Sequence, residues 1–271
     1  MMMESSGKSD IDTSGEWAML SRNAMSAPAP LISVILVCRN PGPRLQAALA
    51  SVWAQHGAEF EVVVIDGAST DGTGEWLHTQ RARLGVTVSE PDGGVYEAMN
   101  KGVAHATGEW ILFLGADDRL ASSDVLRLAV ATLRETAAGV AVGEARFDDG
   151  RSYTLAPTPA PMRRNFVHHQ AAFYRRRLFA EHGGFDDRLQ LQADYDFNLR
   201  LFLAGVRFAP LQLPVADCGS GGLSDAGQWT NYREEITVRH RHFPAARCWP
   251  WDLGSIIRYL RKKIVRAGRP A

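Results

Sequence analysis

The sequence predicts an α/β protein with a mostly parallel central sheet and helices on both of its faces. Short apolar runs alternate with segments of helical spacing from residue 31 onward, in the order strand, helix, strand. The runs are nearly continuous, which is typical of strands buried on both faces. Three of them end in loops rich in Gly, Asn or Asp, at the edge where open α/β sheets bind ligands.

The composition is that of an ordinary globular protein of 271 residues, with 45% hydrophobic and 22% charged residues. The 30 Lys and Arg residues balance 30 Asp and Glu residues, so the net charge favours neither nucleic acid nor an acidic partner. The 3 Cys residues lie far apart without a CxxC motif. They indicate no disulfide framework or zinc site and fit a reducing, cytoplasmic setting.

Three segments are expected along the chain. Residues 1–30 contain acids and serines without the apolar core of a signal peptide, and we expect a disordered tail there. A single α/β domain is expected over residues 31–225, followed by a basic, helical extension over residues 226–271. No apolar run approaches the roughly 18–20 residues of a membrane-spanning helix.

Four apolar runs predict the first strands, and the segments between them predict amphipathic helices. The runs are Leu31–Cys38, Phe60–Ile65, Val86–Ser89 and Trp110–Leu114, and the helical segments cover residues 45–53, 74–83 and 95–106. The next elements expected are a helix near residues 125–133 and two strands, Val140–Gly143 and Ala145–Phe147, with a turn at Asp148–Gly150.

Two adjacent carboxylates, Asp117 and Asp118, follow the fourth strand. The two like charges repel each other, and the pair becomes favourable if a divalent cation lies between it and a phosphate. The alternative is a helix cap for a helix starting near Ser123, with a solvated neighbour. Asp66 and Asp71 are likewise either turn residues or ligand contacts. Convergence of these loops at one edge favours a phosphate- and metal-binding cleft, although the G-x-G-x-x-G and Walker motifs are absent.

Later polar residues each have two interpretations. His168 and His169 either bind metal, phosphate or sugar, or form a core-facing and solvated pair on a strand. Asp194 and Asp196 lie in the first turn of a predicted helix, where they either complement the helix dipole or supply a general base. They are roughly 200° apart around a regular helix, so both cannot face one cleft. The glycine-rich Cys218–Ser224 is either a linker or a lid.

The segments SVILVCRN, VVVIDGASTDGT and SEPDGGVYEAMNKGVAHATGEWILFLGADD resemble family-2 glycosyltransferases of GT-A fold. The resemblance runs from about Leu31 to Ser224 and is most similar to bacterial surface-polysaccharide members of O-antigen, exopolysaccharide or colanic-acid type. It implies a GT-A, Rossmann-like sheet and inverting transfer of a sugar from a nucleoside-diphosphate-sugar to an acceptor hydroxyl. A lipid-linked saccharide is the acceptor it suggests.

The resemblance also implies roles for single residues. Asp118 would bind Mg²⁺ or Mn²⁺, and Asp117 would lie near the ribose and the metal. Asp194 would be the catalytic base, with Ala193 replacing the Glu that commonly precedes it in relatives. Gly67 stands where many relatives have a second acid. The other residues placed at the nucleotide-sugar are Val37, Arg39, Asn40, Asp66, Asp92, Lys101, His169 and Gln170.

The C-terminal segment Ile256–Arg269 combines apolar residues at helical spacing with basic residues, and Trp249, Pro250 and Trp251 lie just before it. Such a helix is expected on an anionic membrane surface, which would attach a cytoplasmic protein peripherally to the inner face of the cell membrane. The alternative is a helix packed on the domain with a solvated basic face. No nucleic-acid-binding module accompanies the basic run, so nucleic acid is not an expected partner.

Two other functions fit part of the sequence. A nucleotide- or carbohydrate-binding module without catalysis would not need the acidic pair together with Asp194. A nucleotidyltransferase also sets metal-binding acids beside a sheet edge, but it usually has a glycine-rich, basic phosphate loop after the first strand. Arg39–Gly42 is a poor version of that loop.

Overall fold

The computed structural model describes residues 31–156, 163–220 and 228–267. The expected N-terminal tail and residues 221–224 of the expected lid lie outside these ranges. The strands are β1 (Ile32–Cys38), β2 (Phe60–Asp66), β3 (Val86–Ser89), β4 (Trp110–Gly115), β5 (Arg119–Leu120), β6 (Val140–Phe147), β7 (Ser152–Tyr153), β8 (Ala172–Arg175) and β9 (Phe208–Cys218). The helices are α1 (Arg44–Trp53), α2 (Thr73–Thr79), α3 (Val95–His105), α4 (Val125–Glu135), α5 (Arg177–His182), α6 (Ala193–Leu203), α7 (Trp229–His242) and α8 (Ala245–Ala267).

The strands form one sheet in the order β3-β2-β1-β4-β8-β6-β9-β5, with β7 paired to β6. Strands β1, β2, β3, β4, β6 and β9 run in one direction, while β5, β7 and β8 run in the other. The predicted mostly parallel α/β fold is therefore confirmed. In the register, Cys38 of β1 lies opposite Asp66, and Val37 lies opposite Gly115. The carboxyl ends of β1, β2 and β4 consequently meet at one edge.

The nearly continuous apolar strands bury both faces of the sheet. Along β1, Val34 and Leu36 belong to one core cluster, and Ile35 belongs to the cluster on the opposite face. Helices α1 and α4 cover the first face, while α3, α5, α6 and α7 contribute buried side chains to the second. The loops at the carboxyl edge are thus held by strands whose side chains are buried on both sides.

Two predicted elements differ from the structure within the sheet. Strands Val140–Gly143 and Ala145–Phe147 are one strand, β6, which is interrupted by a bulge where it pairs with β9. A Cβ atom on Gly143 would lie 2.6 Å from the Leu213 carbonyl oxygen, so glycine allows this close approach. The strand expected around the two histidines begins only at Ala172, because His169–Ala171 forms a 3₁₀ turn.

Two predicted helices also differ in their bounds. The helix expected over residues 74–83 ends at Thr79 and continues as a 3₁₀ turn at Arg81–Arg83, a common helix ending. The C-terminal helix begins at Ala245 and includes Pro250. The proline lies in the second turn, where it removes one backbone hydrogen bond, and the helix continues to Ala267. None of the helices in the described ranges has the length and apolar character needed to cross a bilayer.

Candidate active site

The loops after β1 and β2 are joined at the carboxyl edge of the sheet. Asn40 has a positive φ of 48°, a conformation that asparagine tolerates better than most residues. Its backbone N–H donates to Ser69 Oγ at 2.7 Å, and its Oδ1 accepts from Thr70 N–H at 2.8 Å. Asn40 therefore holds the two loops together, while Arg39 beside it is exposed and Val37 is half-buried in β1.

Asp66 lies at the end of β2 and is fully buried. Its carboxylate accepts hydrogen bonds from the hydroxyls of Ser69 and Ser89, the latter at 2.6 Å. Asp92 approaches the same loop: a Cβ atom on Gly67 would lie 2.5 Å from Asp92 Oδ2. Glycine at position 67 therefore lets the β2 loop pack directly against Asp92.

Lys101 holds the loop that carries Asp92. Its ammonium group contacts the carboxylates of Glu90 at 2.9 Å and Glu97 at 3.0 Å, and it donates to the Pro91 carbonyl oxygen at 2.9 Å. These contacts, the one to Glu90 first, raise the pKa of Lys101. The lysine is thus engaged by three oxygens of its own loop region and fixes the position of that loop.

The acidic pair lies directly after β4. Asp117 is exposed, whereas Asp118 is buried and its Oδ2 accepts from the Gly115 N–H at 2.9 Å. A strand, β5, follows the pair, so neither acid caps a helix, and the helix-cap alternative is wrong. Burial first, and the negative charge of Asp117 second, raise the pKa of Asp118. The interaction with His169 acts in the opposite direction.

The acidic pair has oxygens of the kind that bind hard divalent cations. Carboxylate oxygens suit Mg²⁺ and Mn²⁺, and a cation would offset the like-charge repulsion that raises the pKa of Asp118. In the ranges that the structure describes, no group of three or more His, Cys, Asp or Glu is placed to hold a metal ion. A cation bound here would therefore need further oxygens, such as those of a diphosphate.

Asp194, the predicted base, is buried near the start of α6 and makes four hydrogen bonds. Its Oδ1 accepts from the Tyr96 hydroxyl at 3.0 Å and the Tyr195 N–H at 2.8 Å. Its Oδ2 accepts from Asn165 Nδ2 at 2.8 Å and contacts His169 Nδ1 at 3.1 Å. Burial alone would raise the pKa of Asp194, but the bonds from His169 and Tyr96 outweigh it and lower the pKa. These bonds therefore favour the ionised form of Asp194.

The two adjacent histidines have different surroundings. The half-buried His168 packs against the ring of Tyr153 with centroids 4.2 Å apart, and desolvation lowers its pKa to about 4, which favours the neutral imidazole at pH 7. His169 turns to Asp194 and keeps 22% of its side chain exposed. Gln170, which follows it, has a buried Oε1 without a hydrogen-bond partner among the described residues. Such an acceptor is expected where a bound molecule or water completes the site.

Asp196 belongs to a separate network on the other side of α6. Its carboxylate contacts Arg200 Nε and His242 Nε2, each at 2.9 Å. Among the described residues it shares no partner with Asp194, which confirms that the two acids face different sides. The hydrogen-bond partners Tyr96 and Asn165 were not predicted: Tyr96 has the pattern of a core residue, and Asn165 lies in a loop without a motif.

Comparison with known proteins identifies the family of the chain. Residues 33–187 match the model of glycosyl transferase family 2. The chain belongs to this family. A PGL/p-HBAD biosynthesis glycosyltransferase of Mycobacterium tuberculosis is 38% identical over 183 residues, which cover 64% of this chain and 70% of the relative. An uncharacterized glycosyltransferase of the same species is 36% identical over 183 residues, covering 65% of this chain and 70% of the relative.

Solved structures show the same fold. Residues 1–349 of S. aureus TarS in complex with UDP-GlcNAc superpose with a TM-score of 0.65 at 21% identity, covering 83% of this chain and 71% of that one. A mannosyltransferase from Pyrobaculum calidifontis, in complex with GDP-Man and Mn²⁺, superposes with a TM-score of 0.61 at 20% identity. The match covers 94% of this chain and 83% of the mannosyltransferase chain. The chain spans 39% of the longer TarS structure. The protein is thus a glycosyltransferase of GT-A fold, which disfavours both alternative functions.

Proposed function

We propose that the protein transfers a sugar from a nucleoside diphosphate to an acceptor hydroxyl, with inversion at the anomeric carbon. The placement of the carboxylates is the observation that carries this proposal. The lowered pKa of Asp194 favours its ionised form, its Oδ2 contacts His169 Nδ1 at 3.1 Å, and the pair Asp117 and Asp118 lies at the end of β4. An ionised carboxylate suits a proton acceptor, and an acidic pair at a strand end suits a cation beside a diphosphate.

Asp194 is the group proposed to receive the proton of the acceptor hydroxyl. Its two oxygens offer about four lone-pair positions, and four protein groups already occupy them. The acceptor hydroxyl must therefore replace one of these groups. The contact from His169 is the longest, at 3.1 Å, and His169 retains exposed surface, so we expect it to give way.

Asp118, with Asp117 beside it, would hold Mg²⁺ or Mn²⁺. When bound, the cation would neutralise charge on the departing diphosphate. Since the carboxylates themselves repel each other, their pairing is most favourable in the presence of donor and cation together. We therefore expect the cation and the nucleotide to bind cooperatively.

The nucleotide is proposed to lie along the loops that follow β1, β2 and β3. Asp66 and Lys101 are engaged within these loops and would act by fixing their shape. Arg39 is exposed and would be open to the ligand, whereas Gln170, whose buried oxygen has no hydrogen-bond partner in the described ranges, would contact it only after a local rearrangement. Asp92, half-buried against Gly67, would contact the nucleotide where the β2 and β3 loops meet.

The acceptor proposed is a saccharide or lipid-linked saccharide of cell-surface polysaccharide synthesis. The place proposed is the cytoplasm, at the inner face of the cell membrane, where such an acceptor would be anchored. The similarity to the PGL/p-HBAD biosynthesis glycosyltransferase of M. tuberculosis supports the glycan class. The UDP-GlcNAc and GDP-Man complexes of structural neighbours support a nucleotide-sugar donor.

The test is incubation of the purified protein with a panel of UDP-, GDP- and dTDP-sugars and Mn²⁺, followed by chromatography of the nucleotides. Slow release of a nucleoside diphosphate from one donor is the result expected. Release of pyrophosphate would indicate a nucleotidyltransferase, and binding of a nucleotide-sugar without any turnover would indicate a binding module. Either outcome contradicts the proposal.

A further inference from the structure

The C-terminal helix α8 turns its polar side toward the protein. Arg239 of α7 is fully buried, and it donates from Nε to Asp252 at 2.9 Å and from Nη2 to Ser255 at 2.6 Å. Arg258 of α8 in turn donates to Glu235 of α7 at 2.6 Å. Buried charges are stable only when paired, so these bonds fix which side of α8 faces inward.

The apolar side of α8 consequently faces outward. Its residues follow one another at spacings of three or four and therefore line one stripe of the helix. The α8 stripe consists of Trp249 (64% exposed), Leu253 (51%), Ile257 (46%), Leu260 (49%) and Ile264 (71%). A contiguous row of large exposed apolar side chains marks an interaction surface more often than a free surface.

Basic side chains border the α8 stripe on both sides. At 100° per residue, the exposed Arg261 and Lys263 fall on opposite sides of the line through Leu260 and Ile264. Asp252, the one acid in the sequence of the helix, is bound to Arg239 and His240 and does not belong to the stripe. An apolar row flanked by basic side chains matches a bilayer with anionic headgroups, where each nearby Lys or Arg strengthens binding about fivefold.

A second copy of the chain would fit this surface less well. In a two-fold symmetric contact, the same patch of each copy packs against the other. The basic residues bordering the stripe would then lie near their own counterparts and repel them. The charge pattern therefore favours a lipid surface over self-association.

We propose that the α8 stripe docks the protein on an anionic membrane, with α8 parallel to the surface. The stripe enters the boundary between headgroups and acyl chains, and Arg261 and Lys263 contact lipid phosphates. The docking itself depends only on α8; the assignment to a membrane that carries the acceptor rests on the proposed function. α8 packs against α7, and its exposed side carries the apolar stripe together with the basic residues Arg261 and Lys263.

The experiment is flotation of the full chain with vesicles of phosphatidylcholine, with or without about one third phosphatidylglycerol. We expect binding to the anionic vesicles, weakened by salt, and at least tenfold weaker binding of the double variant Leu260→Ser/Ile264→Ser. Both side chains are exposed, so the variant should fold normally. The matched control is Leu128→Ser on α4, which removes an apolar side chain that is 43% exposed away from α8 and should bind like the wild type.

Absence of binding to anionic vesicles, or equal binding by the stripe variant and the control, would overturn the proposal. A dimer in solution that the stripe variant abolishes, without vesicle binding, would assign the surface to a second copy instead. Nucleoside diphosphate release is measured for each variant without vesicles. Nucleoside diphosphate release without vesicle binding refutes only the membrane docking of α8. Vesicle binding without nucleoside diphosphate release from any donor refutes only the proposed sugar transfer.

Discussion

The loop that leads into α6 depends on one buried carboxylate from α7, and its removal gives a quantitative test of the structure. Glu234 is 6% exposed, and its two oxygens accept three backbone N–H groups. The donors are Gln190 at 3.0 Å, Leu191 at 2.8 Å and Gln192 at 3.2 Å. These residues immediately precede the helix turn that carries Asp194. We expect Glu234→Ala to destabilise the fold and to loosen this turn.

The magnitude follows from what surrounds the three donors. A hydrogen bond to a charged group contributes about 1.5–3 kcal/mol when its partner cannot be replaced by water. Here Gln190 is exposed, and Leu191 and Gln192 are half-buried, so water partly replaces the lost carboxylate. We therefore expect about 1 kcal/mol for each bond and about 3 kcal/mol in total. At roughly 2–4 °C per kcal/mol, the melting temperature should fall by about 6–12 °C.

The assay is urea denaturation at pH 7 with Glu181→Gln as the control. Glu181 forms an exposed pair with Arg177 at 3.5 Å, so this variant should change the unfolding free energy by less than about 0.5 kcal/mol. Turnover of Glu234→Ala should fall further than its nucleotide affinity, because the loosened turn carries the proposed base rather than the nucleotide loops. If the unfolding free energy of Glu234→Ala differs from wild type by no more than that of the control, the three hydrogen bonds to Glu234 do not stabilise the fold as proposed.

Two further predictions concern charged groups. Chelation by EDTA should abolish nucleoside diphosphate release, and full activity in EDTA would contradict the metal proposal. Asp118→Asn should also abolish the release. It should do so without lowering the melting temperature, because Asn keeps the acceptor for the Gly115 N–H and removes the charge repulsion with Asp117. Asp186 has its pKa lowered to about 2, first by its hydrogen bond from Arg188. Because the folded pKa is depressed, this stability is present above about pH 4 and lost as pH falls toward 2. Asp186→Asn should therefore be less stable than wild type at pH 7 and equally stable near pH 2; a pH-independent difference in urea denaturation would contradict the assignment.

The sheet and the acidic pair could be predicted because both are local patterns. The apolar run Trp110–Leu114 ends at a glycine, and this alone indicates a buried strand that delivers the next residues to the carboxyl edge. The positions of Asp117 and Asp118 follow from it. The resemblance of residues 89–118 to one family then supplied the chemistry, which periodicity does not contain.

The surroundings of the predicted base could not be predicted, because its partners are distant in sequence. Tyr96 lies 98 residues before Asp194, and its position on the apolar side of α3 has the pattern of a core residue. Asn165 and Glu234 belong to no motif. The orientation of α8 is a related case: helical spacing separates a polar from an apolar side, but only the buried partner Arg239 determines which side faces inward.

The central claim, that Asp194 takes the proton in a sugar transfer, is tested most directly by comparing Asp194→Asn with Asp196→Asn. For each folded variant, turnover of the active donor and affinity for the nucleoside diphosphate are measured together. We predict that Asp194→Asn loses turnover by a factor of about 10² or more, typical of removing a general base, with nucleotide affinity nearly unchanged. Asp196→Asn should lose less turnover and act mainly on stability through Arg200 and His242. The reverse order of turnover, with both variants folded, would contradict the assignment of the base.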